Sequence, residues 1–111
     1  MAPPEDAIRR YMEISTCHIK EDDDELLWIF GVDPSRCRKI GLFVSAFDFG
    51  HHIALHSDIK DVGQPYFDRL MKEGLSKEFC SILEWAYKAG CSMVSFDRDG
   101  TVIEELPKFD W

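Results

Sequence analysis

Apolar residues come in short runs along this chain, and most of the runs end near a glycine or a proline. None approaches the ~20 residues that span a bilayer, and the longest are pieces such as residues 26–32. We therefore expect a soluble protein with no membrane partner, built from short helices and strands. A length of 111 residues suits one domain, residues 1–111, because compact domains commonly hold ~100–150 residues. Residues 1–10, with two prolines, are expected to be a flexible N-terminus.

The first half of the chain carries patterns for a strand, a helix and a hairpin. Residues 11–19 alternate loosely in hydrophobicity and are β-branched at three positions, which predicts a strand. Next, Asp22 and Glu25 have the spacing of a capping box, and Gly31 can adopt the left-handed conformation that ends a helix. An Asp-Pro-Ser sequence then predicts a turn. Two apolar runs flanking the Asp-Phe-Gly sequence of residues 48–50 predict a β-hairpin.

The second half carries patterns for two helices and a second hairpin. Residues 66–73 fit a short helix ended by Gly74, and a longer helix is predicted from the N-cap Ser76 to Gly90. Residues 91–97 resemble an interior strand, and an Asp-Gly turn after them predicts a final hairpin before an apolar tail that packs on the body. The order β-α-β-β-α-α-β-β predicts an α+β fold, a single mainly antiparallel β-sheet with two to three helices packed on one face.

The chain is strongly acidic, with 13 Lys and Arg against 21 Asp and Glu and a formal net charge of −8. Binding by phosphate neutralisation would work against this field, so we expect no direct nucleic-acid partner. The N-terminus lacks the basic start and the apolar stretch of a secretion signal, which predicts a cytoplasmic protein. The four cysteines form no Cys-x-x-Cys pair, and we expect reduced, mostly buried thiols with no metal and no cofactor. An even count also permits two disulfides.

One motif could carry chemistry. The run from Asp97 to Thr101, Asp-Arg-Asp-Gly-Thr, resembles the nucleophile motif of the haloacid dehalogenase-like phosphatases. The resemblance implies that Asp97 attacks phosphorus and that Asp99 acts as acid and base beside Mg²⁺. However, only ten residues follow Thr101, and the remaining catalytic residues of that superfamily come later in its chains. We favour turn chemistry as the explanation of both aspartates.

Three histidines follow the predicted first hairpin turn, at His51, His52 and His56. On a strand His52 and His56 would share one face about 13 Å apart, too far for one metal ion, whereas on a helix they would be adjacent. Alternation with apolar residues favours the strand. The three histidines and the aromatic residues of 43–49 are therefore candidates for a ligand-binding edge, although aromatic residues at this density are more often core.

An acid run opens the first predicted helix: Glu21, Asp22, Asp23, Asp24 and Glu25. Acids stabilise the positive end of a helix dipole, and this role explains the run without any partner. The same residues would also form an anionic face that docks on a basic protein or imitates DNA. They are our candidate partner-binding residues.

Three segments resemble an uncharacterised bacterial domain family carried on plasmids, phages and other mobile elements. The first is residues 14–19, Ile-Ser-Thr-Cys-His-Ile. The second is Ala-Gly-Cys at residues 89–91 leading to Phe-Asp-Arg-Asp-Gly at residues 96–100, and the third is residues 106–111, Leu-Pro-Lys-Phe-Asp-Trp. The resemblance spans residues 11–111. It implies an accessory protein of mobile DNA and assigns no catalytic residue.

Together these observations favour a small accessory protein that acts without catalysis by binding a protein partner. Its sharpest version is an inhibitor of a nucleic-acid-handling host system. The alternatives are a Mg²⁺-dependent phosphatase-like hydrolase using Asp97 and Asp99, and a small-ligand-binding domain. A chain this small with an apolar tail could also bury surface in a symmetric homodimer.

Overall fold

The predicted strands assemble into one mixed sheet in a computed structural model that describes residues 1–55 and 64–111. Its strands, in the spatial order β1-β4-β3-β2, are β1 (Tyr11–Ser15), β2 (Phe43–Phe47), β3 (Gly50–Ala54) and β4 (Met93–Asp97). β4 runs parallel to β1 and antiparallel to β3, and β3 pairs antiparallel with β2 as the predicted hairpin. The α+β fold with a mainly antiparallel sheet is confirmed.

Among the described residues the α-helices are α1 (Glu21–Gly31), α2 (Pro34–Ile40), α3 (Gln64–Lys72) and α4 (Lys77–Lys88). Ser76 caps α4 as predicted, since its hydroxyl oxygen accepts the Phe79 N–H. Gly74 and Gly90 follow α3 and α4 with positive φ, a conformation that glycine adopts without steric cost and that ends each helix. No helix in the part of the chain that the structure describes is long and apolar enough to cross a membrane.

The helices cover one face of the sheet and leave the other face open. Ile53, Val94 and Phe96 point into the covered face and are fully buried. Strand side chains alternate, so neighbours such as Glu13 and Ala54 lie exposed on the open face. The helical part of the core comprises Leu27, Phe30, Cys37, Ile40, Tyr66, Phe67, Leu70, Phe79, Cys80, Ile82, Leu83 and Ala86.

Two boundaries near the start of the chain differ from the prediction. β1 ends at Ser15, and a short 3-10 turn, Thr16–His18, replaces the expected continuation of the strand to residue 19. α1 begins after Lys20, whose backbone N–H donates to the Asp23 carboxylate at 3.1 Å. This capping interaction therefore lies two residues earlier than the predicted pair of Asp22 and Glu25.

The turn predicted at residues 33–35 is instead the start of α2. Asp33 Oδ1 accepts the Arg36 N–H, and Pro34 occupies the first helical turn, where its missing N–H costs nothing. Hydrogen bonds from the Arg36 N–H and the Ser35 hydroxyl lower the pKa of Asp33. The helix ends at Gly41, which has a φ of 74°.

The predicted final hairpin is wrong. After β4 a tight turn sends Thr101 across to β1, where it forms a parallel bridge with Ile14 instead of pairing back on β4. Gly100 permits this crossing, because a Cβ at that position would lie 2.6 Å from the carbonyl carbon and oxygen of Ile14. The Asp-Gly pair thus lets the chain after β4 pass close to the backbone of β1.

Candidate functional site

A fully buried histidine at the carboxyl end of β1 holds the C-terminal tail, residues 103–111. His18 Nδ1 donates to the Pro107 carbonyl at 2.9 Å, and His18 Nε2 accepts the Ile103 N–H at 2.9 Å. Because a carbonyl only accepts and an N–H only donates, the imidazole is the neutral Nδ1–H tautomer. Both ring nitrogens are occupied by backbone groups, and we call this arrangement the tail clasp.

Two further hydrogen bonds fix the end of the tail. The Phe109 N–H donates to the Cys17 carbonyl at 2.7 Å, and the Trp111 indole N–H donates to the Ile19 carbonyl at 3.0 Å. The predicted packing of the tail on the body is thereby confirmed. A hollow of about 260 Å³ lies beside these hydrogen bonds. It is lined by residues from all three segments on which the family resemblance rests, and Arg98 is the one that comes from the second segment.

Exposed aromatic side chains gather around a neighbouring hollow of about 180 Å³. Trp28 of α1, Phe49 of the β2–β3 turn and Trp111 of the tail line it, and their exposed fractions are 47%, 45% and 49%. Arg98, which follows β4, lies over the Phe49 ring with its guanidinium carbon 4.8 Å from the centroid. We call these four side chains the aromatic patch. Trp and Arg are among the residue types most enriched at binding hot spots.

Trp28 rests on a buried histidine that is bound to a carboxylate. The His51 ring on β3 meets Trp28 edge-on, with centroids 5.3 Å apart. His51 Nε2 lies 2.8 Å from Asp24 Oδ1, one helical turn before Trp28. A carboxylate accepts, so His51 carries its hydrogen on Nε2, whereas Nδ1 is buried without a hydrogen-bond partner among the described residues. The contact fixes α1 against the sheet and thereby sets the orientation of its exposed tryptophan.

The acidic face is smaller than the sequence suggests. Asp23 is buried, and its carboxylate accepts the Ser76 N–H at 2.8 Å and the Ser76 hydroxyl at 2.6 Å. Asp24 is engaged with His51. Both therefore serve the fold rather than the outer surface. The acids of the run that remain exposed are Glu21, Asp22 and Glu25.

Asp97 is the last residue of β4, and Asp99 lies in the turn that follows it. Asp97 Oδ1 accepts the Asp99 N–H at 2.8 Å, which is the role that turn chemistry predicts for an aspartate. Lys108 of the tail pairs with Glu104. Within residues 1–55 and 64–111, no group of three or more His, Cys, Asp or Glu side chains could hold a metal ion. The hydrolase hypothesis stays a prediction, and the hydrogen bonding explains Asp97 without it.

The sheet separates two of the three candidate ligand-binding histidines. His51 faces α1, whereas His52 faces the open side of β3 and packs on Phe47 with ring centroids 4.4 Å apart. His52 also lines a hollow of about 460 Å³ with Phe43 and other residues at the edge of β2. His56 lies outside the described residues. A ligand site shared by all three stays a prediction.

The thiols fit the expectation of reduced cysteines. Burial raises the pKa of the Cys80 thiol to about 12, and the nearby carboxylates of Asp23 and Asp68 add to the rise. A thiol that stays protonated is a poor nucleophile and a poor metal ligand. The free cysteines are Cys17, Cys37, Cys80 and Cys91.

A larger cavity of about 640 Å³ lies between α4 and the tail. Ile82 and Trp85 line it from the helix, Leu106 and Pro107 line it from the tail, and the buried His18 also borders it. We call this cavity the tail groove. Its other lining residues are Lys77, Glu78, Ser81 and Glu105.

Sequence reasoning missed the aromatic patch, because its members come from four separate segments. Nothing in the local pattern of α1 indicates that Trp28 faces outward while Leu27 and Phe30 are fully buried. A usable signal was present in the resemblance, since Arg98 and Trp111 belong to two of the three segments on which it rests.

The comparisons with known proteins identify the chain at the level of a family. Residues 11–111 match the model described as "Family of unknown function (DUF5983) C-terminal domain", a match that includes all four strands and the tail. Neither a curated protein nor a solved structure matches significantly. The predicted membership in an uncharacterised domain family is confirmed: the chain belongs to the DUF5983 C-terminal domain family, a family of unknown function.

Proposed function

We propose that this domain is a non-catalytic binding module that docks on a basic protein through the aromatic patch and the outer face of α1. The supporting observation is the grouping of Trp28, Phe49, Arg98 and Trp111 around one hollow. Side chains of these types bury large areas when a partner covers them, and a few such residues supply most of the binding energy of an interface.

The outer face of α1 extends the patch. Ile29 of α1 and Val32, the residue that follows the helix, are exposed, with exposed fractions of 44% and 76%. Trp28 and Val32 are one helical turn apart, so they are neighbours on the helix surface. Towards the N-terminus of α1 the exposed side chains are acidic. The surface therefore combines an apolar anchor with a negative rim, an arrangement that complements a basic partner.

The patch is held in position before any partner arrives. Trp28 packs on His51, Arg98 stacks on Phe49, and Trp111 is hydrogen-bonded to the backbone of the body. Ordering flexible side chains on binding costs free energy, so side chains that are already fixed bind more tightly. This geometry supports a docking role.

We propose a nucleic-acid-binding protein as the partner and the bacterial cytoplasm as the compartment, in keeping with the mobile-element kinship that the resemblance implies. Proteins that bind nucleic acid carry the Lys- and Arg-rich surface that a chain of net charge −8 attracts. A second copy of this chain would bring the same negative charge to the interface, which disfavours a homodimer there. By covering the basic surface, the domain would inhibit its partner.

The test is to capture a bacterial protein on the immobilised domain, identify it, and titrate the purified pair. Trp28→Ala is expected to weaken binding about 30-fold, the equivalent of the ~2 kcal/mol typical of a hot spot. Trp85→Ala is the matched control, because Trp85 is 46% exposed but lies on α4, outside the patch. It should leave the affinity unchanged.

A second measurement addresses charge. The triple variant Glu21→Gln, Asp22→Asn and Glu25→Gln should slow association and flatten its dependence on salt. The proposal is contradicted if Trp85→Ala weakens binding as much as Trp28→Ala does. It is equally contradicted if the neutralised variant associates as fast as the parent, or if the captured protein has no basic surface.

A further inference from the structure

We infer that the tail groove binds a small aromatic ammonium compound, at a site separate from the protein-docking surface. The groove has a volume of about 640 Å³. Cavities that bind small molecules commonly measure ~300–1,000 Å³ and are lined mainly by apolar side chains with a few polar groups. The tail groove has this size and this composition.

The apolar part of the groove fits a flat ring. Trp85 and Ile82 come from α4, and Leu106 and Pro107 face them from the tail. Nearly half of the Trp85 side chain is exposed, so a planar ligand between helix and tail would cover apolar surface that now meets water. A ring that carries a cationic group would also gain a cation–π contact with the indole.

The polar part of the groove fits a cation. The charged residues that line it are Glu78, Glu105 and Lys77, and Lys20, which is not a lining residue, forms an ion pair with Glu78. Glu78 Oε2 is shielded from solvent and accepts no hydrogen bond from the described residues, and Lys20 Nζ stands 3.5 Å away in an ion pair. Buried carboxylate oxygens normally accept a hydrogen bond, and the Glu78 side chain is 29% exposed, so a turn of its carboxylate would present this oxygen to a ligand N–H donor. An anionic ligand would instead add charge of the same sign as both carboxylates.

The groove is formed before a ligand enters. Pro107, on its tail side, is fixed by the hydrogen bond from His18, whose second nitrogen holds Ile103. On the opposite side, α4 belongs to the core through Phe79, Ile82 and other buried residues. Neither side has to move to create the cavity, so little of the binding free energy is lost to reorganisation.

The experiment is an NMR titration of the ¹⁵N-labelled chain with 2-naphthylmethylammonium. We expect saturable shifts of the Trp85 indole N–H and of the Ile82 and Leu106 backbone N–H groups, with a Kd on the order of 1 mM or below. The neutral 2-naphthylmethanol and the anionic 2-naphthoate have the same ring and test the charge. Both should bind at least about tenfold more weakly.

Two variants and a control locate the site. Glu78→Gln should weaken ammonium binding about fivefold and leave the alcohol unchanged, and Trp85→Leu should weaken binding of both. Trp28→Leu is the matched control and should change neither. Absence of saturation at Trp85 would overturn the inference, as would equal binding of the alcohol and the ammonium, or shifts centred on Trp28. Trp28 belongs to the docking surface and Trp85 does not. Failure of the ligand inference would therefore not contradict the proposed docking role, which has a separate test.

Discussion

Two histidines are fully buried among residues 1–55 and 64–111, His18 and His51, and they lie in regions that satisfy a buried imidazole differently. In the tail clasp His18 uses both nitrogens on backbone groups of the tail. Beneath the aromatic patch one nitrogen of His51 bonds to the Asp24 carboxylate, and the other has no hydrogen-bond partner in the part of the chain that the structure describes. Burial alone therefore does not distinguish the roles of a histidine, and the identity of its partners does.

The difference has an energetic meaning. A buried backbone N–H or carbonyl that loses its hydrogen-bond partner cannot move to reach water. Each such group then lowers the stability of the fold by the free energy of an unsatisfied polar group. The Asp24 side chain is 20% exposed, so water can replace the lost imidazole. We conclude that the clasp contributes to stability, whereas the His51 contact mainly positions the surface above it.

We expect the largest loss of stability at Gly50 and Gly100. At each of them the absence of a side chain lets a neighbouring strand's backbone come close, near one of the two histidine regions. A Cβ on Gly50, the residue before His51, would lie 1.7 Å from the Phe96 carbonyl oxygen, and one on Gly100 would meet Ile14 at 2.6 Å. We expect Gly50→Ala to lower the free energy of unfolding by about 4 kcal/mol and Gly100→Ala by about 2–3 kcal/mol in urea titrations, through backbone displacement.

Gly31→Ala is the control for these two substitutions. Its Cβ would make only ordinary contacts, at 3.7 Å from Ala46, and alanine raises helix propensity. Stability should therefore be unchanged or higher by up to about 1 kcal/mol. If Gly50→Ala proved as stable as Gly31→Ala, the result would contradict the inference that the close approach of β3 to β4 stabilises the region around His51.

A smaller effect separates the histidines themselves. His18→Leu removes the partners of the Ile103 N–H and the Pro107 carbonyl and should lower the free energy of unfolding by about 3 kcal/mol. His51→Leu leaves only Asp24 to be rehydrated and removes an unsatisfied nitrogen from the interior, so its expected cost is about 1 kcal/mol or less. Chemical unfolding of both variants measures the difference, and equal losses would erase the distinction between the two regions.

The last prediction concerns which ring nitrogen of each histidine carries the hydrogen, and it involves no change in stability. Long-range ¹H–¹⁵N correlation spectra should show His18 as the Nδ1–H tautomer, because its Nε2 accepts the Ile103 N–H. His51 should carry its hydrogen on Nε2, which faces Asp24. Finding the same tautomer at both sites would contradict the assigned direction of one of these hydrogen bonds.

Local signals predicted those parts of the fold whose interactions are local. The start of α4 at Ser76 and its end at Gly90 follow from capping and glycine chemistry within a few residues. The β2–β3 hairpin follows from two apolar runs around one turn. By contrast, Asp33 and Pro34 signal either a turn or a helix start, and the choice of the helix was missed.

Features that depend on distant contacts could not be predicted. The Asp-Gly pair before Thr101 has hairpin chemistry, but the partner is Ile14 of β1, and only the folded chain places it there. The same holds for the candidate site. That Trp28 and Trp111 share a hollow depends on how α1 and the tail meet at one end of the sheet. Among the acids of α1, burial of Asp23 depends on Ser76 in another helix.

The position of β4 between β1 and β3 determines how the protein can fold as it is synthesised. The β2–β3 hairpin pairs neighbours and can form early, whereas β1, made first, has no strand partner until β4 has emerged. Addition of β4 then joins β1 to the β2–β3 hairpin in one step, and the tail follows β4 along the chain. A chain interrupted before residues 93–97 would leave β1 and the inner edge of β3 unpaired, and such edges promote aggregation. Folding of this domain is therefore expected to be all-or-none and to be completed by its last fifth.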